Sequence, residues 1–569
     1  MTADIAKIST TPGHAIPPFP RHAITTHLPT WQAVLDFADR KPEIMTMFKS
    51  MYPRMMLHRD VIELAGSVLK FAKAPEGQTC FLYPSLEAAE SQVKFSTDPR
   101  RKEAMLKKED LNLRVFDIDV RYYAVFFDAK KTPMTMPFWT NAGIGVSSRM
   151  AEQSLQHIDQ LKEVSLSSVF SAPPPANGQP KESSAEYKTQ ERIASLLERA
   201  PVGGARDIKV KADDVYFFQT GMAAIWWVHE YLIGARNGTS ILYGYAFHST
   251  PHVLEDFGPA YKLFGNGSTE ELDELESFLE TEKKEGRKVQ AIWAEFPANP
   301  MLTIPDLSRL RKLADTYDVV LCVDDTVGSF CNVDVMGADG ADIVLTSLTK
   351  SFSGYADVMG GSAVLNPLTK SYSELKEVFT KRYHNDVCPL DLEALEHNSR
   401  DYLERSKAFN YKAEFLVNWL EKKAKDPNSA VKEVMYPSCH PQRPNYDARK
   451  RPTTAEFEAG YGCLFSVEFD NVPETIAFYD TMSKYIHIGP HLGAHRTLVL
   501  CYVKAIYAKG LDHVAPFGLH ETAIRVSVGS EDDPEQLLEV FKIAVAEADA
   551  LKAKSEDAEK APTAVASVS

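Results

Sequence analysis

The sequence predicts an α/β protein with a mostly parallel, doubly wound sheet, a smaller α+β C-terminal domain and an N-terminal extension. Three observations carry that prediction. Strand-like and helix-like runs alternate from residue 215 to residue 324, the pattern of stacked strand–helix–strand units. Two apolar runs, 319–323 and 341–345, lead into polar side chains, as parallel strands do where their tips open on a cleft. From residue 390 the alternation gives way to long helical runs and then separate strands.

Residues 1–30 are rich in Pro and His and read as irregular. Thr30 is the expected N-cap of an amphipathic helix that starts at Trp31. Strands at 79–83 and 122–127 fall in an N-terminal α/β extension, residues 1–137, expected to serve as a cover or an oligomer contact. The segment 138–149, FWTNAGIGVSSR, leads into a helix at Met150 and opens a large domain spanning 138–390. Within it, residues 171–186 (SAPPPANGQPKESSAE) have the composition of a disordered insertion. A helical run, 187–200, precedes the strand 215–218. Gln219-Thr220-Gly221-Met222 then opens a helix through Leu232, and such a turn is a seat for phosphate because free N–H groups and the helix dipole point at it. Strands at 241–243 and 289–294 and helices at 270–284 and 308–317 lead to the strand that ends in Asp324. The C-terminal domain, 391–551, combines helices up to 424, strands at 463–469 and 523–528 and a closing helix at 535–548. Residues 552–569 are charged and small and read as a disordered tail.

A length of 569 residues requires more than one core. A net charge of −15 argues against nucleic acid and anionic membranes as partners. The seven scattered cysteines, an odd number without a CxxC pair, predict free thiols in a reducing compartment, and the N-terminus lacks a signal-like apolar run, so a cytoplasmic location is expected. His487, His491 and His495 are spaced by four, but Gly489, Pro490 and Gly493 would break a helix between them, so no metal site is expected.

The chemistry concentrates at two strand ends. Thr346-Ser347-Leu348-Thr349-Lys350 closes the run at 341–345, and a lysine behind hydroxyls suits a covalent bond to an aldehyde cofactor whose phosphate the hydroxyls hold. Asp324 lies 26 positions earlier, one strand–connection–strand unit away, where its carboxylate can keep a pyridine nitrogen protonated.

Ser347-Leu348-Thr349-Lys350 after Val323-Asp324-Asp325-Thr326, with the loop SGYADVMGG at 353–361, resembles the pyridoxal-phosphate enzymes of the cystathionine γ-synthase group, above all their long fungal members. The resemblance spans roughly residues 138–550 and implies the type I fold of pyridoxal-phosphate transferases, with pyridoxal 5′-phosphate as cofactor. It implies that Lys350 carries the cofactor and shuttles protons, and that Asp324 pairs with its ring nitrogen. Ser347, Thr349 and the N–H groups of Gly221 and Met222 would hold the phosphate. Glu295-Phe296-Pro297-Ala298-Asn299-Pro300 is similar to the family's ExPxNP turn, in which Asn299 touches the cofactor and Glu295 lies near the substrate. Arg525 would take the substrate α-carboxylate, and Arg149 would reach a neighbouring subunit's cofactor, giving a homodimer or homotetramer with shared sites.

Three positions depart from the family pattern. Phe247 stands where a tyrosine stacks on the cofactor, His491, a candidate for the substrate pocket, where a serine precedes Leu-Gly, and Ser147 where a phosphate-binding tyrosine precedes the arginine. Phe247 can stack but cannot transfer a proton, which leaves Tyr243 and Tyr245 as nearby sources of a phenol. The implied activity is γ-substitution on an O-acylhomoserine, with cysteine giving cystathionine. Another nucleophile, a γ-lyase, an aminotransferase and a non-catalytic relative are the alternatives.

Overall fold

The computed structural model of the protein describes residues 5–167 and 180–560. Among these residues three sheets form. The N-terminal sheet comprises β1 (Gln78–Tyr83), β2 (Asn112–Asp117), β3 (Arg121–Asp128) and β4 (Lys162–Val164), in the order β1-β3-β2-β4 and antiparallel throughout. The central sheet comprises β5 (Val215–Phe218), β6 (Thr239–Tyr243), β7 (Ala260–Phe264), β8 (Val289–Glu295), β9 (Val320–Asp324), β10 (Ile343–Thr346) and β11 (Gly361–Leu365), in the order β5-β11-β10-β9-β8-β6-β7. Its pairs are parallel from β10 across to β7, and β11 runs antiparallel to both neighbours. The C-terminal sheet comprises β12 (Val431–Met435), β13 (Leu464–Phe469), β14 (His487–Ile488), β15 (Leu498–Leu500) and β16 (Ala523–Ser527), in the order β12-β13-β16-β15-β14.

The expected α/β architecture is therefore present, and the apolar runs explain it. The central strands are buried on both faces, with Ile292, Leu321, Val323 and Val344 packed on one side and Ala291, Cys322, Ile343 and Leu345 on the other. That is why they read as continuous apolar runs. The start of β11 meets the start of the helix Gly221–Arg236 so closely that a Cβ on Gly361 would lie 2.3 Å from the Thr220 carbonyl oxygen.

The boundaries differ from the sequence reading. The N-terminal unit does not stop at 137, because β4 pairs with β2 and the helix Thr132–Ala142 runs through Pro137. The expected limit at 390 falls at the first turn of a helix. The helix Pro389–Asn398 crosses it and Glu396 pairs with Arg192 (2.8 Å) on the large-domain helix Ala185–Leu197. In the expected insertion 171–186, residues 171–179 lie outside the described residues, and at its end Ser184 caps the helix Ala185–Leu197. The closing helix, Pro534–Lys560, takes in residues 552–560 of the expected tail, and 561–569 lie outside the described residues.

Residues 5–56 form a strap along the C-terminal domain. Thr30 caps the helix Trp31–Ala38 as expected, accepting from the Ala33 N–H (3.2 Å). Trp31 donates its N–H to Asp480 (2.7 Å), and Leu28 donates its N–H to the Ile488 carbonyl (3.2 Å). Farther along, Ile24 donates its N–H to the Ala356 carbonyl (2.9 Å), beside the loop that follows Lys350. Gly361→Ala should lower the unfolding midpoint in a thermal or urea melt, with a cost of about 1–3 kcal/mol from overpacking against the backbone of Thr220.

Candidate active site

Parallel register brings three strand tips to one edge. Glu295 on β8 is aligned with Asp324 on β9, and Asp324 with Leu345 on β10, so the chain just beyond Leu345 carries Ser347 and Lys350 into the same space. The tips are tied together by hydrogen bonds. The Thr326 N–H donates to Asp324 Oδ1 (2.9 Å), and the Ser347 N–H donates to Thr326 Oγ1 (2.8 Å). Behind them, Arg405 donates to the carbonyls of Ser351 (2.7 Å) and Phe352 (2.9 Å) and fixes the loop after Lys350.

A cavity opens at this edge. Its lining includes Gly221, Met222, Phe247, Glu295, Asn299, Asp324, Ser347, Lys350 and Arg525, all sequence-predicted site residues. Thr220 caps the helix Gly221–Arg236 through Ala223 (2.9 Å), and the first-turn N–H groups of Gly221 and Met222 have no intrahelical acceptor. A Cβ on Gly221 would lie 2.6 Å from Ser347 Cβ, so only glycine lets the helix start approach the Ser347 hydroxyl this closely, bringing its free N–H groups beside it.

The electrostatics suit a bound ring. Burial lowers the Lys350 amine from its ordinary value, and Arg525 and Arg54 add to the effect while Tyr52 opposes it. Burial raises the Asp324 carboxyl, which its hydrogen bonds to Thr326 only partly offset. Burial and the adjacent Asp324 raise Glu295 to about 8, against the N–H groups of Phe247 (2.7 Å) and Asn299 (2.8 Å) that donate to its two oxygens. Arg525 is buried, pushed down to about 10 by desolvation, and stacks over Tyr502 with its guanidinium carbon 4.7 Å from the ring centroid. It donates to Asn299 Oδ1 (3.1 Å) and the Pro490 carbonyl (2.7 Å).

These residues fit pyridoxal phosphate. An amine whose charged form burial disfavours, an under-compensated buried carboxylate and a helix start with free N–H groups beside a hydroxyl answer the aldehyde, the ring nitrogen and the phosphate respectively. Lys350, Asp324, Ser347, Gly221 and Met222 would hold it, with Phe247 and Asn299 against the ring.

Three predicted residues stand elsewhere. The Thr349 hydroxyl is buried and bonded to Gly360, donating to its carbonyl (3.2 Å) and accepting its N–H (3.0 Å), so it supports the loop. His491 is fully buried behind the cavity wall, its Nε2 on the Thr349 carbonyl (3.3 Å), while its neighbours Pro490 and Leu492 line the cavity. Arg149, expected at a neighbouring subunit's cofactor, pairs within its own chain with Asp357 (3.5 Å) and Asp391 (3.3 Å) and does not line this chain's cavity, and Ser147 is a helix cap, accepting from the Met150 N–H (3.1 Å). The candidate phenols at 243 and 245 also point away. Tyr243 donates to the Ser268 carbonyl (2.6 Å), and Tyr245 stacks on Phe517 with ring centroids 5.3 Å apart.

Sequence reasoning missed Tyr52 and Arg54, which the strap brings into the cavity. The N-terminal helix Thr132–Ala142 pins them: Trp139 Nε1 donates to the Pro53 carbonyl (3.1 Å), and Arg54 donates to the Thr140 carbonyl. Tyr52-Pro53-Arg54 has the tyrosine-x-arginine spacing that Ser147-Ser148-Arg149 lacks, and that signal could have found it.

The fold and this cavity define a pyridoxal-phosphate enzyme of fold type I. The chain belongs to the Cys/Met metabolism PLP-dependent enzyme family, whose profile matches residues 208–546, and the profile of the fungal trans-sulfuration enzyme N-terminal domain matches 60–147. It is 32% identical to a cystathionine γ-synthase-like enzyme of Amanita muscaria, iboG2, over 96% of this chain and 98% of that protein. It is 30% identical to the cystathionine γ-synthase of Neurospora crassa over 93% of this chain and 97% of that one. An alanine racemase of Aspergillus violaceofuscus, ungC, is 31% identical over 92% of this chain and 95% of the relative. Among solved structures, the cystathionine γ-lyase CalE6 of Micromonospora echinospora shares the fold, with a TM-score of 0.51 and 23% identity over 66% of this chain and 91% of the other.

Asp324→Asn should leave the cofactor bound, visible as retained absorbance after gel filtration, while turnover falls by about 10²-fold or more through loss of the charge at the ring nitrogen.

Proposed function

We propose that the protein catalyses γ-substitution on an O-acylhomoserine, with cysteine as nucleophile and cystathionine as product. The observation that carries the reading is Arg525, a buried guanidinium for which the described residues supply carbonyl acceptors and an aromatic face but no carboxylate. A buried, unpaired charge is costly, and an amino acid's α-carboxylate is the anion that a guanidinium fork fits in two hydrogen bonds. Lys350 lines the same cavity as Arg525, and burial lowers its amine, which favours the free base that can accept a proton from the substrate's Cα. With the cofactor bound, Asp324 would keep its ring nitrogen protonated and Phe247, on the same cavity wall, would pack against its ring. When bound, the cofactor supplies an electron sink that makes carbon-bound protons beside it acidic. Lys350 carries those protons between carbons as the acyl group leaves Cγ and the thiol adds there. The full-length similarity to fungal cystathionine γ-synthases supports the same assignment.

A γ-lyase or the use of another nucleophile is the second reading, favoured by Phe247, which gives the cavity no phenol at the stacking position. The reading also includes a cytoplasmic homo-oligomer, a dimer or tetramer. All seven cysteines are free, and among the described residues no helix is long and apolar enough to cross a membrane. Light scattering of the purified protein measures the assembly.

Incubation with O-acetyl- or O-succinylhomoserine and cysteine should yield cystathionine by mass. A 2-oxo acid and ammonia, equally abundant without cysteine, would identify a lyase instead. Arg525→Ala should raise KM for the amino-acid substrate by roughly 10- to 100-fold, the loss of a charge-assisted contact of about 1.5–3 kcal/mol.

A further inference from the structure

Glu295, the last residue of β8, is a buried carboxyl in the cavity wall, aligned with Asp324 on β9. Its two oxygens take backbone N–H groups from two separate parts of that wall. Phe247 donates to Oε1 (2.7 Å) and Asn299 donates to Oε2 (2.8 Å). The Asn299 side chain in turn accepts from Arg525 Nη1 (3.1 Å). A line of hydrogen bonds therefore runs from Phe247 through Glu295 and Asn299 to Arg525, and all four residues line the cavity.

We propose that Glu295 is a positioning residue: its carboxyl clamps the backbone at Phe247 and Asn299 and, through Asn299, sets the guanidinium of Arg525, so one group fixes both the wall against the cofactor ring and the grip on the substrate carboxylate. Neither clamped segment is held by a ladder of its own. Phe247 lies between β6 and the helix Ser249–Phe257, and Asn299 lies in the turn after β8. A buried N–H left without an acceptor costs about 1–3 kcal/mol, so both loops are drawn to the one carboxyl that answers them. The charge of the clamp suits its place. Burial and the adjacent Asp324 raise Glu295 to about 8, because two buried carboxyls side by side do not readily ionise together. Near neutrality Glu295 is thus a carboxylic acid, which still accepts N–H bonds and leaves the negative charge to Asp324.

The inference rests on the reading of Arg525 as the carboxylate site, and its test separates the two. Glu295→Gln keeps the size and the neutral charge of the clamp, but an amide offers one accepting oxygen where the carboxyl offers two. In the cofactor-free full chain, residue-resolved amide hydrogen exchange should quicken about 10-fold at the N–H of Phe247 or of Asn299, and not along the rest of β8. In the pyridoxal-phosphate-loaded enzyme, L-homoserine serves as a probe that needs no turnover. Its Kd, read from the change in visible absorbance, should rise roughly 3- to 10-fold in Glu295→Gln at unchanged cofactor occupancy. On an Asn299→Ala background the same substitution should raise it no further, because the path to Arg525 is already cut. Asn299→Ala alone should raise the Kd and leave the Phe247 amide protected. Unchanged exchange at both amides in Glu295→Gln overturns the proposal, as does a rise in Kd that adds in full to that of Asn299→Ala. Loss of protection at Phe247 in Asn299→Ala also overturns it, because the asparagine would then order the wall. If Arg525→Ala leaves homoserine binding unchanged while Glu295→Gln quickens exchange and shifts the visible circular dichroism of the cofactor, the carboxylate assignment fails and the clamp stands.

Discussion

The parallel pairing of β8, β9 and β10 is the constraint on which the site depends. Parallel strands end at the same edge, and the register that aligns Glu295, Asp324 and Leu345 places a carboxylic acid, a carboxylate and the approach to Lys350 side by side. Three groups that are costly to bury are then held together by the apolar runs beneath them. Each strand contributes little more than its last residue to chemistry. The rest of each run is there to make that position certain.

The second constraint is long-range. The cavity is closed on one side by a strap that follows the C-terminal domain and by an N-terminal helix that grips the strap at Pro53 and Arg54. The N-terminal unit thereby gains a role beyond cover, since its helix Thr132–Ala142 fixes the position of Tyr52 and Arg54. Gly143, just past that helix, sits against both Thr220 and Arg54, so the helix start at Gly221 and the strap share one support. Three parts of the chain meet at Lys350, and none of them alone encloses it.

What the sequence revealed follows from how local each signal is. Lys350, Asp324, Gly221 and Asn299 stand at strand tips or helix starts, where an apolar run and the residue that ends it are adjacent in the chain, and the expected cavity formed around them. Arg149 and His491 were placed by resemblance to family motifs. The folded chain satisfies the first with two carboxylates and buries the second behind its own neighbours Pro490 and Leu492. Ser147 carried a legible local cue, since a serine three residues before a helical N–H is an N-cap before it is a ligand. Tyr52 and Arg54 had no such cue, because their place depends on contacts with helices far along the chain. The limit at 137 falls inside a helix, and a short strand beyond it ties back to the N-terminal sheet through pairs that no composition change marks.

The central claim is that one lysine, delivered by β10, is the attachment point for the cofactor. Borohydride reduction of the pyridoxal-phosphate-loaded protein, followed by proteolysis and peptide mass mapping, tests it directly. The account predicts a single phosphopyridoxyl mass increment, on the peptide containing Lys350. An increment on any other lysine with Lys350 unmodified would contradict it.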